Sequence, residues 1–192
     1  MSKLKKDFYL RDDVVQISKE LLGKYLYTKL DGKLTGGIIT ETEAYAGAID
    51  RASHAYGNRR TKRTEIMFAE GGTAYVYLCY GIHHLFNVVT GKKDNPHAVL
   101  IRAVKPIAGI STILRRRFKS KIDKTISGGP GTVSQALGIK TIHSGLSLLG
   151  TKIWIEDKGI KINRKEIIAG PRVGVDYAGE DALLPYRFII HI

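Results

Sequence analysis

The stretch from Ile39 to Gly57, ITETEAYAGAIDRASHAYG, gathers side chains that could do chemistry. Its acids, histidine and tyrosines are Glu41, Glu43, Asp50, His54, Tyr45 and Tyr56. Three interpretations are open: a metal site, a general base in an aromatic pocket, or ordinary strand and loop chemistry. A metal site would draw its ligands from Glu41, Glu43, Asp50 and His54. The chain has no H-E-x-x-H motif and no paired cysteines, so a metal is the least favoured reading.

Successive side chains of a β-strand point to opposite faces, and this alternation along IITETEAY predicts which of these residues lie on the same face. In a regular strand one face carries Ile39, Glu41, Glu43 and Tyr45, and the other carries Thr40, Thr42 and Ala44. Unpaired buried carboxylates are costly, so the first face is either solvated or part of a cleft with an aromatic wall. Arg102, inside the apolar run VLIRAV, also needs a partner, and Glu41 and Glu43 are the candidates.

A second cluster is the tyrosine-rich run YVYLCYGIHH. The strand signals on both sides predict a β-hairpin with its turn near Gly81. Tyr80 and Ile82 would then stand at a protruding tip, where such side chains can wedge between bases in the minor groove. The alternative is a tyrosine that caps the edge of the core.

The charge balance indicates the partner. Lys and Arg number 31 against 18 Asp and Glu, a net charge of +13, which favours a polyanion such as nucleic acid over a basic surface kept for solubility. The charges cluster in RRRFKSKIDK, Arg115–Lys124, and in RRTKR. The second block is the candidate contact with a phosphate backbone: Arg59, Arg60, Thr61, Lys62 and Arg63.

The elements that must position these residues form an α+β pattern. A helix is expected from a cap at Asp12 or Asp13 to Gly23, then a hairpin through Asp31-Gly32 into a long strand ending at Tyr45. Further strands are expected at 73–80, 85–91, 97–104, KIWIED, PRVGVD and YRFIIHI. Short helices are expected in IAGISTILRRRF and after SGGPG. We expect a curved, mainly antiparallel sheet with flanking helices and a protruding hairpin.

Length and composition fit one domain, residues 1–192, with residues 1–8 as a basic tail whose order the sequence leaves open. No apolar run is long enough to span a bilayer, and the N-terminus lacks the apolar region of a secretory signal. Cys79 is the single cysteine, so no internal disulfide can form. The simplest expectation is a cytoplasmic protein.

These fragments, in this order, resemble the alkyladenine (3-methyladenine, methylpurine) DNA glycosylase family. The resemblance runs from about Leu21 to the C-terminus. It rests on ETEAY, His54, T-x-R at Thr61–Arg63 followed by MF, YVYLCYG, Asn87, VLIRA, GPGTVSQALGI and RVGV…AGE…PYRF. Their joint order and spacing make the match specific.

The resemblance implies an enzyme that flips a damaged purine out of duplex DNA. Tyr80 would be the intercalating wedge that fills the vacated space, with Ile82 beside it. Tyr45 would stack on one face of the flipped base, while His54 and Tyr77 would close the other side.

The implied reaction is hydrolysis of the N-glycosidic bond, the first step of base excision repair. Glu43 would be the general base that activates water, and Arg102 and the backbone carbonyl of Val173 would position that water. Asn87 would border the pocket and help to reject the exocyclic amino group of normal guanine. Water is the nucleophile in this family, so neither a cofactor nor a metal is implied.

The implied partner is double-stranded DNA containing 3-methyladenine, 7-methylguanine, hypoxanthine or 1,N6-ethenoadenine, bound by a monomer. Thr132 stands where many relatives carry lysine, which removes one expected contact. Two rival functions stay open: a non-catalytic nucleic-acid-binding domain, and a metal-dependent nuclease built on the four candidate ligands above.

Overall fold

The computed structural model describes residues 2–192. Nine β-strands make up its sheet: β1 Ser2–Lys3, β2 Tyr25–Leu30, β3 Lys33–Tyr45, β4 Ala74–Cys79, β5 His83–Thr90, β6 His97–Ala108, β7 Ile153–Asp157, β8 Ile168–Gly170 and β9 Arg187–Ile189. The α-helices in the same range are α1 Lys6–Tyr9, α2 Val14–Leu21, α3 Ile110–Arg116 and α4 Pro130–Leu137. This confirms the predicted α+β class.

All strand pairs are antiparallel, in the order β1-β7-β2-β3-β6-β5-β4, with β9 pairing to both β3 and β8. The β2–β3 turn has the predicted form, because Asp31 and Gly32 both take left-handed φ angles, 50° and 69°. Strand β3 is 13 residues long. Its first half pairs with β2, and its second half lies between β6 and β9.

The helices pack on one face of the sheet. Helix α2 begins where predicted, since the Asp13 carboxylate accepts the Gln16 N–H at 2.8 Å. Its Ile17 and Leu21 join Ile113 of α3 and Val133 of α4 in one apolar cluster with the strands. This face of the sheet forms the main core.

An irregularity in β3 changes one predicted face. Ile39 pairs with Val104, but Glu41 pairs with Ala103, so Thr40 is an extra residue that bulges out of the ladder. Ile39 therefore lies in the main core, and its predicted grouping with Glu41 is wrong.

The opposite face of the sheet carries the residues of chemical interest. Four strands place Cα partners in one row across β3, β6, β5 and β4: Glu43, Leu100, Asn87 and Tyr75. Residues 46–72 and 171–183 cover this face with loops and short 3-10 turns instead of α-helices. The sheet thus supplies a rigid floor beneath two irregular segments.

Two local predictions are wrong. PRVGVD is not a strand, and β8 lies just before it. Pro171 has no N–H to donate to a strand partner, and the Arg172 side chain instead binds Asp50. The helix expected from Ile107 begins at Ile110, because β6 continues through Pro106 to Ala108.

The N-terminal segment is part of the fold in the region described. Ser2 and Lys3 pair with β7, and α1 follows directly. None of the helices within residues 2–192 has the length and apolarity needed to cross a bilayer.

Candidate active site

A cavity of about 480 Å³ opens on the loop-covered face of the sheet. This volume is in the range of small-molecule sites. Its lining includes eight of the candidate residues: Tyr45, His54, Arg63, Tyr77, Tyr80, Asn87, Arg102 and Val173. The structure therefore brings together side chains from β3, β4, β5, β6 and both covering segments.

Glu43 lies fully buried against three groups that line this cavity. Its Oε1 accepts the backbone N–H of Val173 at 2.8 Å, and its Oε2 accepts the Tyr45 hydroxyl at 2.8 Å. The Arg102 guanidinium lies 3.3 Å from Oε1, so the predicted pairing of Arg102 with a carboxylate is present. Burial, followed by the charge of Glu43, raises the pKa of Tyr45, which keeps its phenol protonated as a donor.

Glu41 is also buried, so the solvated-face interpretation of this strand is wrong. Its Oε1 accepts Nε–H groups from Arg102 at 2.8 Å and from Arg187 at 2.6 Å. Two carboxylates and two guanidiniums thus form one balanced cluster across β9, β3 and β6. Arg102 touches both acids, which holds it between Glu41 and Glu43.

The Tyr45 ring is backed by a second arginine. The Arg172 guanidinium lies 4.8 Å from the ring centroid of Tyr45, and its Nη2 donates to Asp50 Oδ1 at 2.8 Å. Asp50 also accepts the N–H groups of Ala46 and Ala52. Its carboxylate is therefore committed to a buried ion pair that joins the two covering segments.

His54 and Tyr77 meet edge to face, with ring centroids 4.7 Å apart. Arg63 donates to His54 Nε2 at 3.1 Å, and because arginine has no acceptor, that nitrogen must be unprotonated. His54 Nδ1 then carries the hydrogen and donates to the Tyr75 hydroxyl at 3.0 Å. Burial, with Arg63 and Arg59 nearby, lowers the pKa of His54 to about 4, so the ring is neutral at neutral pH.

Asn87 is held in one orientation at the cavity floor. Its Nδ2 donates to the carbonyls of Tyr75 at 3.2 Å and Leu85 at 3.3 Å. The side chain is buried, so its shape is a fixed part of the cavity.

The β4–β5 hairpin carries the predicted tip. Tyr80 and Gly81 both have left-handed φ angles, 50° and 73°, as in a type I′ turn. The Tyr80 side chain is 89% exposed and Ile82 is 71% exposed, so neither caps the core. Tyr80 also borders the cavity.

The basic segment 59–63 divides into bound and free side chains. Arg60 forms ion pairs with Glu65 at 2.9 Å and Asp94 at 3.0 Å, which leaves it poorly placed for a phosphate. The Thr64 hydroxyl donates to the Arg59 carbonyl at 2.9 Å and accepts the Thr61 N–H, which fixes the turn. The Thr61 hydroxyl also bonds to Thr64, at 3.1 Å from its hydroxyl oxygen, whereas Lys62 is exposed.

Several site residues escaped the sequence reasoning. Tyr75 could have been found, because it shares a strand face with Tyr77. Arg172 and Arg187 gave no local signal, since their carboxylate partners lie 122 and 146 residues away. Thr132, in the position expected for lysine, caps the first turn of α4 by bonding to the backbone of Gly129.

The four candidate metal ligands do not converge. Within residues 2–192, no group of three His, Cys, Asp or Glu side chains is arranged to hold a metal ion. Glu41, Asp50 and His54 each have protein partners of their own.

Comparison with known proteins places this geometry in context. Residues 7–192 match the family model for methylpurine-DNA glycosylase (MPG). The chain is 48% identical to a protein of Chlamydia abortus, over 98% of each chain. It is 44% identical to one of Bacillus cereus, over 94% of this chain and 92% of the other. It is 41% identical to one of Clostridium perfringens, over 98% and 95%. All three are provisionally named 3-methyladenine DNA glycosylases.

Proposed function

The chain belongs to the methylpurine-DNA glycosylase family, and we propose that it hydrolyses the N-glycosidic bond of flipped purines with water activated by Glu43. It is a DNA glycosylase, a hydrolase of N-glycosidic bonds acting on DNA. The proposed substrates are N3- and N7-alkylated purines, such as 3-methyladenine and 7-methylguanine, together with hypoxanthine and 1,N6-ethenoadenine. Their removal by a monomer at chromosomal DNA would start base excision repair.

The observation that carries the proposal is the position of Glu43 beneath the cavity. Its carboxylate contacts Tyr45, Arg102 and Val173, and all three residues line the cavity. A carboxylate has about four acceptor positions, so after these three neighbours Glu43 can still accept one hydrogen bond from a water molecule. That water would approach Glu43 from the cavity in which the base is proposed to bind.

In the reaction, the bond between the sugar C1′ and the purine nitrogen breaks as the water oxygen bonds to C1′. The purine leaves with the electron pair of the broken bond, so a cationic 3- or 7-alkylpurine departs as a neutral base, whereas hypoxanthine or 1,N6-ethenoadenine must also gain a proton from solvent. Glu43 takes a proton from the water, and the products are a free base and an abasic site with a hydroxyl at C1′. The sugar becomes positively charged as the base departs, and the Glu43 carboxylate stabilises that charge. Arg102 and the Val173 backbone carbonyl position the water.

The base would stack on Tyr45, whose ring is backed by Arg172, and would meet the His54–Tyr77 pair on its other side. Asn87, held in a fixed position at the floor, would disfavour the 2-amino group and so help to reject normal guanine. Tyr80 and Ile82 at the exposed tip would fill the gap left in the duplex.

The test is release of 3-methyladenine from methylated duplex DNA, in the presence of EDTA, by wild type and Glu43→Gln. We expect wild type to release base and the variant to be slower by roughly 10²–10⁴-fold, the usual contribution of a general base. Glu65→Gln, which removes a surface carboxylate of the same kind, is the matched control and should keep full activity.

Other outcomes select the rival functions. Equal release by Glu43→Gln and wild type would refute the role of Glu43. Strand cleavage that EDTA abolishes would indicate the nuclease, and DNA binding without base release from any lesion duplex would indicate a binding domain.

A further inference from the structure

The β7–β2 end of the sheet has a second surface of interest, on the face opposite the helices, which also carries the cavity proposed for the base (the base cavity). Leu26 and Ile155 point into the main core on the helix side, so their neighbours in sequence point the other way. Tyr27 of β2 pairs with Trp154 of β7 and with Gly36 of β3, and these three residues form one row. We call the following set the aromatic face: Tyr25, Tyr27, Trp154, Lys3, Lys29 and Lys158.

The three aromatic rings form a stack across two strands. The Tyr27 centroid lies 6.3 Å from that of Tyr25 and 5.5 Å from that of Trp154, with interplanar angles of 20° and 21°. Gly36 leaves room for this stack, because a β-carbon there would overlap the Tyr27 ring. Tyr27 is buried in the middle, whereas Tyr25 and Trp154 are partly exposed. The two outer rings are therefore the ones that a further flat molecule can reach.

Lysine side chains lie beside these outer rings. The Lys3 ammonium is 5.5 Å from the Trp154 ring centroid, and the Lys158 ammonium is 4.9 Å from that of Tyr25. Lys29 lies on the same face of β2 and is exposed. Within residues 2–192, no carboxylate oxygen lies within 4.0 Å of the side-chain nitrogen of Lys3 or Lys29. Both charges are therefore available to an anionic partner.

An acid in the same area does not cancel this charge. Glu156 is the Cα partner of Tyr25 and of Lys3. Its carboxylate accepts the Trp154 Nε1–H at 2.7 Å and lies 3.6 Å from the Lys158 ammonium. One acid thus stands against three lysines of the aromatic face, and it holds the indole in place.

We propose that the aromatic face binds single-stranded DNA, with unpaired bases stacked on Tyr25 and Trp154 and phosphates held by the three lysines. Aromatic rings beside a row of cations are the features by which proteins bind unpaired strands, since every base has a flat face and every phosphate a charge. Lys3 and Lys158 occupy the positions over the rings, and their flexible side chains would move to phosphates as the bases stack. A duplex fits less well, because its bases are already paired and stacked on one another.

This site is separate from the one proposed for excision. None of the six residues of the aromatic face lines the base cavity. Binding at the aromatic face requires neither a damaged purine nor the carboxylate of Glu43.

Fluorescence of Trp154 reports on this face directly, because it is the only tryptophan of the chain. The probe is an oligothymidylate, which contains no purine and so offers the base cavity no substrate. We expect it to quench the fluorescence of wild type. An abasic strand of the same length has the same phosphates without bases, so it should bind more weakly and leave the fluorescence unchanged. Equal quenching by the two strands, or quenching by neither, would overturn the proposal.

Variants test the rings and the cations separately. Tyr25→Ala keeps the fluorophore and should weaken oligothymidylate binding roughly 5–150-fold, the effect of losing one base–aromatic stack. Lys3→Gln, which leaves all three rings in place, should reduce the slope of log K against log[salt] by about 0.7, the value for one phosphate of a single strand. Lys5→Gln is the matched control and should bind as wild type does, since Lys5 lies beyond β1 at the N-cap of α1.

If Tyr25→Ala and Lys3→Gln both bind as Lys5→Gln does, the strand does not bind at the aromatic face. These readouts measure binding of a strand without purines, so their failure is distinct from a failure to release base from a lesion duplex.

Discussion

At the scale of single residues, the first glutamate of ETEAY, Glu41, is buried beside the site but has no role assigned so far. Glu41 does not line the base cavity, yet it holds Arg102 by a 2.8 Å bond to Nε. Arg102 in turn approaches Glu43. With Glu41 present, the cluster has two positive and two negative charges. Arg102 therefore interacts with two carboxylates and does not pair with Glu43 alone. Glu41 is a positioning residue in this view.

Replacing Glu41 by Gln should lower kcat by up to about 100-fold while changing KM little. The loss follows from misplacing Arg102, because small displacements of positioning groups have effects of that size. Single-turnover excision over a range of enzyme concentrations separates the two constants. Glu41→Asp should recover part of the rate, since it restores the charge with a shorter side chain. If Glu41→Gln raised KM as well as lowering kcat, and Glu41→Asp recovered neither constant, the result would indicate a general loss of structure.

At the scale of elements, the β4–β5 hairpin combines a rigid base with an exposed tip. In the lower part of the hairpin, Asn87 of β5 pairs with Tyr75 of β4 on one side and with Leu100 of β6 on the other. The central sheet therefore supports the tip. Tyr80 occupies a left-handed backbone position at the end of this support and is almost fully exposed. Such a side chain contributes little to folding, and its position at an exposed tip fits the wedge proposed for it.

Tyr80→Ala should leave thermal stability unchanged but slow excision from a well-paired site. Stacking on a base by an aromatic ring is worth about 1–3 kcal/mol, which corresponds to roughly 5–150-fold in the flipped population. The loss should be smaller when the lesion faces a mismatch, because less pairing then has to be broken. Phe118→Ala is the matched control: it too is an exposed aromatic at positive φ, and it does not line the cavity. Equal losses in both variants would argue against a wedge at the tip.

At the scale of the whole molecule, local signals predicted the elements and long-range contacts decided the site. The Asp13 cap, the Asp31-Gly32 turn and the strand alternation each depend on neighbours in sequence, so they could be predicted. The bulge at Thr40 could not, because it depends on the register with β6. The ion pair of Arg60 with Asp94 also depends on a contact between distant positions. The segment RRTKR therefore has fewer unpaired positive charges than its sequence indicates.

The pairing of Asp50 with Arg172 is the long-range contact on which the site most depends. It joins residues 122 positions apart, and both side chains are almost fully buried. The same guanidinium supports the Tyr45 ring, so the ion pair ties the two loop segments to the proposed base platform. Removing one member of a buried pair leaves the other charge without compensation.

Asp50→Asn should therefore destabilise the protein by about 3–5 kcal/mol, as for other broken buried pairs. For a chain of this size that corresponds to a fall in Tm of roughly 6–20 °C, measured by thermal unfolding. Asp94→Asn, which breaks an exposed pair with Arg60, is the control and should cost less than about 1 kcal/mol. If Asp50 were instead a metal ligand, EDTA would lower the Tm of wild type and leave that of Asp50→Asn unchanged. The buried-pair account requires the opposite pattern, in which EDTA has no effect on wild type and the substitution alone lowers Tm.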